Sequence, residues 1–337
     1  MEVNKWIFQI IGSKIKKAMP LLSFPGTNII GVKVGEMVKD GLLQAKCMQA
    51  IAAMYDMPAS VSPMDLSVEA EAFGSKVIFS ENEPPTVAGR IIEDSNCVKK
   101  LNIPKIGEAR TGEYIKAVQR AKNIITDRPV FAGAIGPFSL AGRLFDMTEI
   151  MILSMDEPDL VHEVLKKAAE FIASYAQAFK KSGADGIILA EPAAGLLSPA
   201  MNREFSVPYI KQIINGVKSE DFTVIYHNCG NTIPLIDDII KTGAHGFHFG
   251  NYIKLEEILP LIPNTAAVFG NVSPAGQFMR GTKKSITENT IEILEKCGKY
   301  KNYIPSSGCD IPPDSPFENI DAFFAAVQKW QIQRDAP

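Results

Sequence analysis

Eight short apolar runs recur along the 337-residue chain, each ended by glycine, proline or polar residues. They are PLLSF (20–24), ASVSP (59–63), VFAGA (130–134), GIILA (186–190), TVIYH (223–227), GFHFG (246–250), AAVFG (266–270) and NYIPS (302–306). Short apolar runs bounded by turn formers read as buried strands. Between them lie helical patterns: VGEMVKDGLLQAKCMQAIAAMY, DEPDLVHEVLKKAAEFIASYAQAFKKSG, NREFSVPYIKQIINGVK, ITENTIEILEKCGKY and NIDAFFAAVQKWQIQ. Asp156 is placed to cap the second of these and Gly183 to close it. Strands that alternate with helices form a parallel sheet, and eight such units predict an α/β fold, a (β/α)8 TIM barrel. The alternative is an open doubly wound sheet, but no GxGxxG follows the first run.

Residues 1–337 read as a single barrel domain, because barrels of this type outgrow the usual domain length. The leading MEVNKWIFQIIGSKIKKAMP is amphipathic and lacks a long apolar core with a small-residue cleavage site, so it predicts an N-terminal helical extension. Residues 65–128 are long for one β/α connection. They contain SKVIFS, an extra hairpin strand, and the loop ENEPPTVAGRIIEDSNC, and they read as an insertion after strand 2, over the barrel mouth.

Composition excludes other classes. A net charge of −3 without a basic block speaks against nucleic acid. No apolar run approaches the roughly 18 residues that span a bilayer. Cys47, Cys97, Cys229, Cys297 and Cys309 are odd in number and widely spaced, with no export signal. They read as reduced thiols of a cytoplasmic protein. Cys47 and Cys297 lie in helical patterns and read as packing residues; Cys97 reads as a loop cysteine.

Barrel active sites lie at the C-terminal ends of the strands. Met64-Asp65, Glu69 and Glu71 follow the second run, Glu191 the fourth, and His227-Asn228-Cys229 ends the fifth. His248 lies in the sixth, Asn271 follows the seventh, and Ser307-Gly308-Cys309-Asp310 follows the eighth. Residues two apart in an extended segment point to the same side, so His227 and Cys229 aim at one point. Cys309 approaches that point from across the mouth. One imidazole and two thiolates suit Zn²⁺, and three protein ligands leave a position for substrate. The plain structural alternative is a packed His227 with two incidental cysteines.

Other residues carry more than one reading. His248 is open as a fourth ligand, a donor behind the ligands or a substrate contact. His245 reads as structural, and His162, beside Glu163 on a helix, as solvated. Asp65, Glu71 and Glu191 are the catalytic candidates. Glu69 reads as part of a solvated face, and Glu71, within VEAEAFG, is open to a structural ion pair. Arg143 is a candidate to hold a substrate anion or to pair with Asp146, and Asn271 is a candidate substrate contact.

At these residues the chain resembles the uroporphyrinogen decarboxylase superfamily, from about residue 57 to 325. The segments that carry the likeness are PMDLSVEAEAFG (63–74), AIGPFSLAGRLFD (134–146), GADGIILAEPAAGLLSP (183–199), YHNCGN (226–231), VFGNVSPAGQFMRGT (268–282) and SSGCDIPPDSPFENI (306–320). His-x-Cys with the late Gly-Cys-Asp is similar to the zinc-dependent branch, the methylcobamide:coenzyme M methyltransferases. That resemblance implies His227, Cys229 and Cys309 as zinc ligands. It implies methyl transfer between a corrinoid (methylcobalamin) supplied by a partner protein and a thiol such as coenzyme M, through a zinc-bound thiolate. Asp65, Glu71 or Glu191 would orient the substrate or take its proton. Three alternatives remain open: transfer from a small methyl donor to a Co(I) corrinoid protein, decarboxylation as in the parent superfamily, and a barrel kept as a binding protein for a corrinoid or another tetrapyrrole. Asp65 occupies the position of the decarboxylase's catalytic aspartate, but residues 10–35 offer lysines in place of its arginine-rich motif. The chain also departs from the methyltransferase pattern at His248-Phe249-Gly250-Asn251, where relatives often carry an acidic residue.

Overall fold

The computed structural model describes residues 3–335. Seven parallel strands follow one another in chain order around a curled sheet. They are β1 (Ser60–Val61), β2 (Val130–Ile135), β3 (Gly186–Ala190), β4 (Thr223–Asn228), β5 (Gly246–Phe249), β6 (Ala267–Val272) and β7 (Tyr303–Ser307). Helices Gly41–Met54, Thr111–Ile124, Pro158–Lys181, Val207–Val217, Lys283–Cys297 and Phe317–Asp335 alternate with them. The architecture is that of a (β/α)8 barrel. All seven strands are buried along their length, as expected of a parallel sheet covered on both faces.

The run at 20–24 is not a ladder strand. Met19 N–H donates to Pro305 O at 2.8 Å, but Pro20 and Pro305 have no N–H to continue the pattern. Serine hydroxyls fill the gap. Ser306 Oγ donates to Met19 O at 2.7 Å, and Leu21 N–H donates to Ser307 Oγ at 2.9 Å. Lys16 adds a clamp, its ammonium donating to the carbonyls of Tyr300, Lys301 and Tyr303. Burial pulls that ammonium down to about 8. The ring is thus closed at this seam largely by side chains.

Inside the ring, Val61, Phe131, Ile188, Ile225, Phe269 and Ile304 pack with Met19 and Leu21. Helix Val3–Gly12 adds Trp6, Ile7 and Ile11 to the same cluster. The Trp6 indole donates to Pro58 O at 2.9 Å, and its ring meets Phe131 edge-on with centroids 4.9 Å apart. Pro58 precedes β1, so the N-terminal helix plugs the end of the barrel opposite the strand C-termini. A second, larger apolar cluster fills the layer between sheet and outer helices.

Several local expectations are corrected. Asp156 ends the helix Met147–Asp156 rather than capping the next, which begins at Pro158 after Glu157. Proline at the first helical position supplies the start without a side-chain cap. Gly183 follows that helix at φ +96°, as a closing glycine should. The stretch 199–217 divides into Pro199–Phe205 and Val207–Val217, where Pro208 interrupts the hydrogen-bond pattern. Cys97 lies in helix Ser95–Lys100, whose N-terminus Asp94 caps by accepting from Cys97 N–H at 2.8 Å. Cys47 and Cys297 are buried in helices. Residues 65–128 hold helix Val68–Ala72, the antiparallel pair Lys76–Ile78 and Thr86–Ala88, helix Ser95–Lys100 and helix Thr111–Ile124. Among the described residues no helix is long and apolar enough to cross a membrane.

Trp6→Ala empties the floor of the barrel. It is expected to lower stability by about 3–5 kcal/mol, read from urea denaturation midpoints. A loss under about 1 kcal/mol would show that the helix is not part of the core.

Candidate metal centre

β4 carries His227 near its C-terminal end, with Cys229 just beyond it. Cys309 follows β7 on the turn that Gly308 opens, and Gly308 N–H bonds Val272 O. One ligand atom from each of the three residues lies within 4.8 Å of the other two. His227 Nε2 is 3.1 Å from Cys229 Sγ and 3.7 Å from Cys309 Sγ. Zinc bonds of about 2.0–2.1 Å to nitrogen and 2.3 Å to sulfur, set tetrahedrally, separate the two donors by roughly 3.6 Å. The cluster therefore fits zinc in donor type and in spacing. Cys229 and Cys309 are free thiols whose sulfurs lie within 4.8 Å of each other. The Cys229 thiol donates to Cys309 and holds that sulfur well below the usual thiol range, while the same bond and burial push Cys229 up.

Close backbone approach shapes this corner. A Cβ on Gly195 would stand 1.8 Å from Cys229 O, and one on Gly250 would stand 3.2 Å from Cys229 Sγ. A larger residue at 195 would displace the cysteine loop, and one at 250 would need Cys229 to give by a few tenths of an ångström.

His248 sits directly beside His227, because the two are register partners on β5 and β4. It is 1% exposed. Its Nδ1 is 2.7 Å from His227 Nδ1 and its Nε2 is 3.0 Å from Ser306 Oγ. Both nitrogens are engaged, so His248 backs His227 rather than meeting a substrate or a cation. Burial and the neighbouring His227 hold its pKa well below the ordinary histidine value.

The acidic candidates go elsewhere. Asp65 accepts from Arg110 Nη1, Ser67 N–H at 3.0 Å, Ser67 Oγ at 2.6 Å and Tyr114 OH at 3.0 Å. Arg110 Nε also donates to Glu71 at 2.6 Å, and the guanidinium lies over the Phe79 ring. This knot ties the end of β1 to helix Thr111–Ile124. Glu191 is fully buried, and its oxygens accept from Phe138 N–H at 3.0 Å and Ser139 N–H at 2.6 Å. It caps helix Pro137–Phe145 from the neighbouring strand end, a favourable place for a carboxylate. Burial pushes it up to about 7. Asn271 donates to Gly250 O and Ile253 O, holding the loop after β5.

Glu69 is buried, not solvated. One oxygen accepts from Ile135 N–H at 3.0 Å and the other has no partner. Arg143 forms no ion pair with Asp146, whose carboxylate caps Thr148; the charges of Glu69 and Asp65 act on it instead. Among the described residues Arg143 has no hydrogen bond or ion pair. His162 is only partly solvated, since Nδ1 bonds Tyr209 OH and the ring stacks on Phe205. His245 accepts from Val224 N–H and serves the fold. Arg110, Tyr114, Ser306 and Gly195 went unmarked in the sequence. Their roles depend on partners tens of residues away or more, and no local spacing signals that.

The sequence matches the uroporphyrinogen decarboxylase (URO-D) family over residues 15–330, and the chain belongs to that family. It is 25% identical to methylcobamide:CoM methyltransferase MtbA of Methanosarcina acetivorans, over 80% of this chain and 79% of that protein. It is 26% identical to the chloroplastic uroporphyrinogen decarboxylase 2 of Arabidopsis thaliana, over 81% of this chain and 68% of that one. Among solved structures, a methyltransferase from Methanosarcina mazei superposes with a TM-score of 0.86 at 24% identity, covering 98% of this chain and 99% of that chain. That likeness fixes the barrel fold over the whole length.

Glu69 supplies a pH-dependent test. Burial pushes its carboxyl from 4.5 to about 7. The folded state then keeps a proton that the unfolded chain releases earlier. The stability tied to that proton is intact below about pH 4.5 and is lost as pH rises toward about 7. Glu69→Gln keeps the acceptor for Ile135 and removes the loss. Relative to wild type, its stability is expected to gain about 2 kcal/mol between roughly pH 5 and pH 8. A flat difference across that range would refute a buried, proton-holding Glu69.

Proposed function

We infer that this protein is a corrinoid-linked methyltransferase that moves a methyl group between a corrinoid protein and a small thiol such as coenzyme M, using zinc held by His227, Cys229 and Cys309. The observation that carries the reading is the meeting of His227 Nε2 with two cysteine sulfurs at the C-terminal rim of the barrel. The methyltransferase names of relatives that span most of the chain support it. Zinc bound by these residues would lower the pKa of a substrate thiol and supply it as a nucleophilic thiolate at neutral pH.

The chain's own groups divide the remaining work. His227 contributes a neutral nitrogen and the cysteines contribute two negative sulfurs. Arg143, without an ion-pair partner among the described residues, supplies a cation for an anionic group of the substrate. Glu71 and Asp65 hold Arg110 and shape the wall of the mouth, and Asn271 fixes the loop beside Cys229. The chain works as one domain, with residues 65–128 forming part of that wall. Asp65 has its oxygens occupied by four donors, which leaves it poorly placed for the acid–base work a decarboxylase would need. Two adjacent thiols stay unlinked most readily in a reducing compartment, so the reading places the protein in the cytoplasm.

Metal analysis of purified protein is expected to find near-stoichiometric zinc in the wild type and little in Cys229→Ala or Cys309→Ala. Demethylation of methylcob(III)alamin is then expected to depend on an added thiol and to fall by at least about 100-fold in both variants. Full zinc occupancy in the variants would sink the ligand assignment. Absence of thiol-dependent demethylation together with zinc-dependent methylation of cob(I)alamin by a small methyl donor would reverse the direction.

A further inference from the structure

We propose that His248 and Ser306 set the tautomer of His227, placing its proton on Nδ1 and leaving the Nε2 lone pair free for the cation. The proposal deepens the zinc reading above and rests on it only for the purpose of the lone pair. The tautomer itself follows from a chain of hydrogen bonds that contains no metal.

The chain is ordered from its far end. Met19 O is a carbonyl and can only accept, so Ser306 must spend its one hydroxyl proton there, at 2.7 Å. Ser306 Oγ therefore accepts from His248, whose Nε2 lies 3.0 Å away and must carry a proton. A neutral His248 with its proton on Nε2 has a lone pair on Nδ1. That lone pair faces His227 Nδ1 at 2.7 Å, so His227 must be the donor. With its single proton on Nδ1, His227 presents an unprotonated Nε2 to the two sulfurs, 3.1 and 3.7 Å away. No carboxylate among the described residues bonds either ring.

Packing holds the relay in place. His227 and His248 face each other through strand register, with ring centroids 4.7 Å apart at 62°. Phe269, the register partner of His248 on β6, stacks against it with centroids 6.4 Å apart at 19°. Ser306 lies in β7 and is fully buried. Metal-binding histidines commonly pass their second N–H to a carboxylate or a backbone carbonyl. Here the carbonyl is that of Met19, reached through a second imidazole and a hydroxyl. His248 and Ser306 are positioning residues: neither touches the substrate.

The test reads protons directly. Histidine ¹⁵N NMR of the metal-free protein is expected to show His227 as the Nδ1–H tautomer in the wild type. His248→Leu and Ser306→Ala are expected to lose that bias and to weaken zinc binding about 10–100-fold in a chelator competition. His248→Gln offers an amide oxygen to His227 and an amide N–H to Ser306, and is expected to recover most of the affinity. Ser306→Ala also removes the seam bond to Met19 O, so in that variant the ¹⁵N tautomer rather than zinc affinity decides, and it keeps the test valid if His248→Leu fails to fold. A proton on His227 Nε2 in the metal-free wild type overturns the proposal, as does a His227 still held as the Nδ1–H tautomer in Ser306→Ala. An Nδ1–H tautomer in a wild-type protein that takes up no zinc supports the relay and removes the zinc reading instead.

Discussion

The seam between residues 19–21 and β7 is the constraint on which the rest of the barrel depends. Prolines at 20 and 305 leave the backbone short of donors, and the hydroxyls of Ser306 and Ser307 make up the difference. The same few residues close the ring, align Met19 and Leu21 with the interior, and present Cys309 just past β7. Ile311 N–H bonds Leu21 O and fastens the cysteine turn from its other side. Ring closure and the position of the Cys309 sulfur are therefore one structural event.

Burial of charge organises the rim around that seam. Each buried carboxylate has found donors that offset part of its lost hydration. Glu191 uses the start of a helix, and Asp65 uses an arginine, a serine and a tyrosine. Groups that look catalytic from their place after a strand are here fasteners of the elements around the mouth. Glu69 is the exception, with one oxygen unpartnered, and burial keeps its proton on to near neutral pH. Arg143 is its electrostatic complement: a guanidinium under the influence of Asp65 and Glu69 but bonded to neither.

The barrel was legible because a two-sided parallel sheet writes itself as continuous apolar runs, and seven of the eight runs contain ladder strands. The eighth, at 20–24, has the right composition, but its prolines change how it pairs. His227 and Cys229 were legible because strand geometry aligns residues two apart, and Cys309 because it follows another strand end. Glu191 shows where such reasoning stops. Position after a strand does not say whether a carboxylate faces the mouth or the start of the next helix. Arg110 shows another limit, since it reaches Asp65 across 45 residues of chain. His248 is one of the candidates, but only register with His227 and the hydroxyl of Ser306 reveal that it stands behind that residue.

The Trp6 plug has a consequence for traffic. Among the described residues the floor is stoppered, which leaves the rim at the strand C-termini as the doorway. A small molecule and a protein-borne cofactor would have to share that doorway, and the bulkier visitor would shut the smaller one in. Order of arrival would then be dictated by architecture before any affinity is considered.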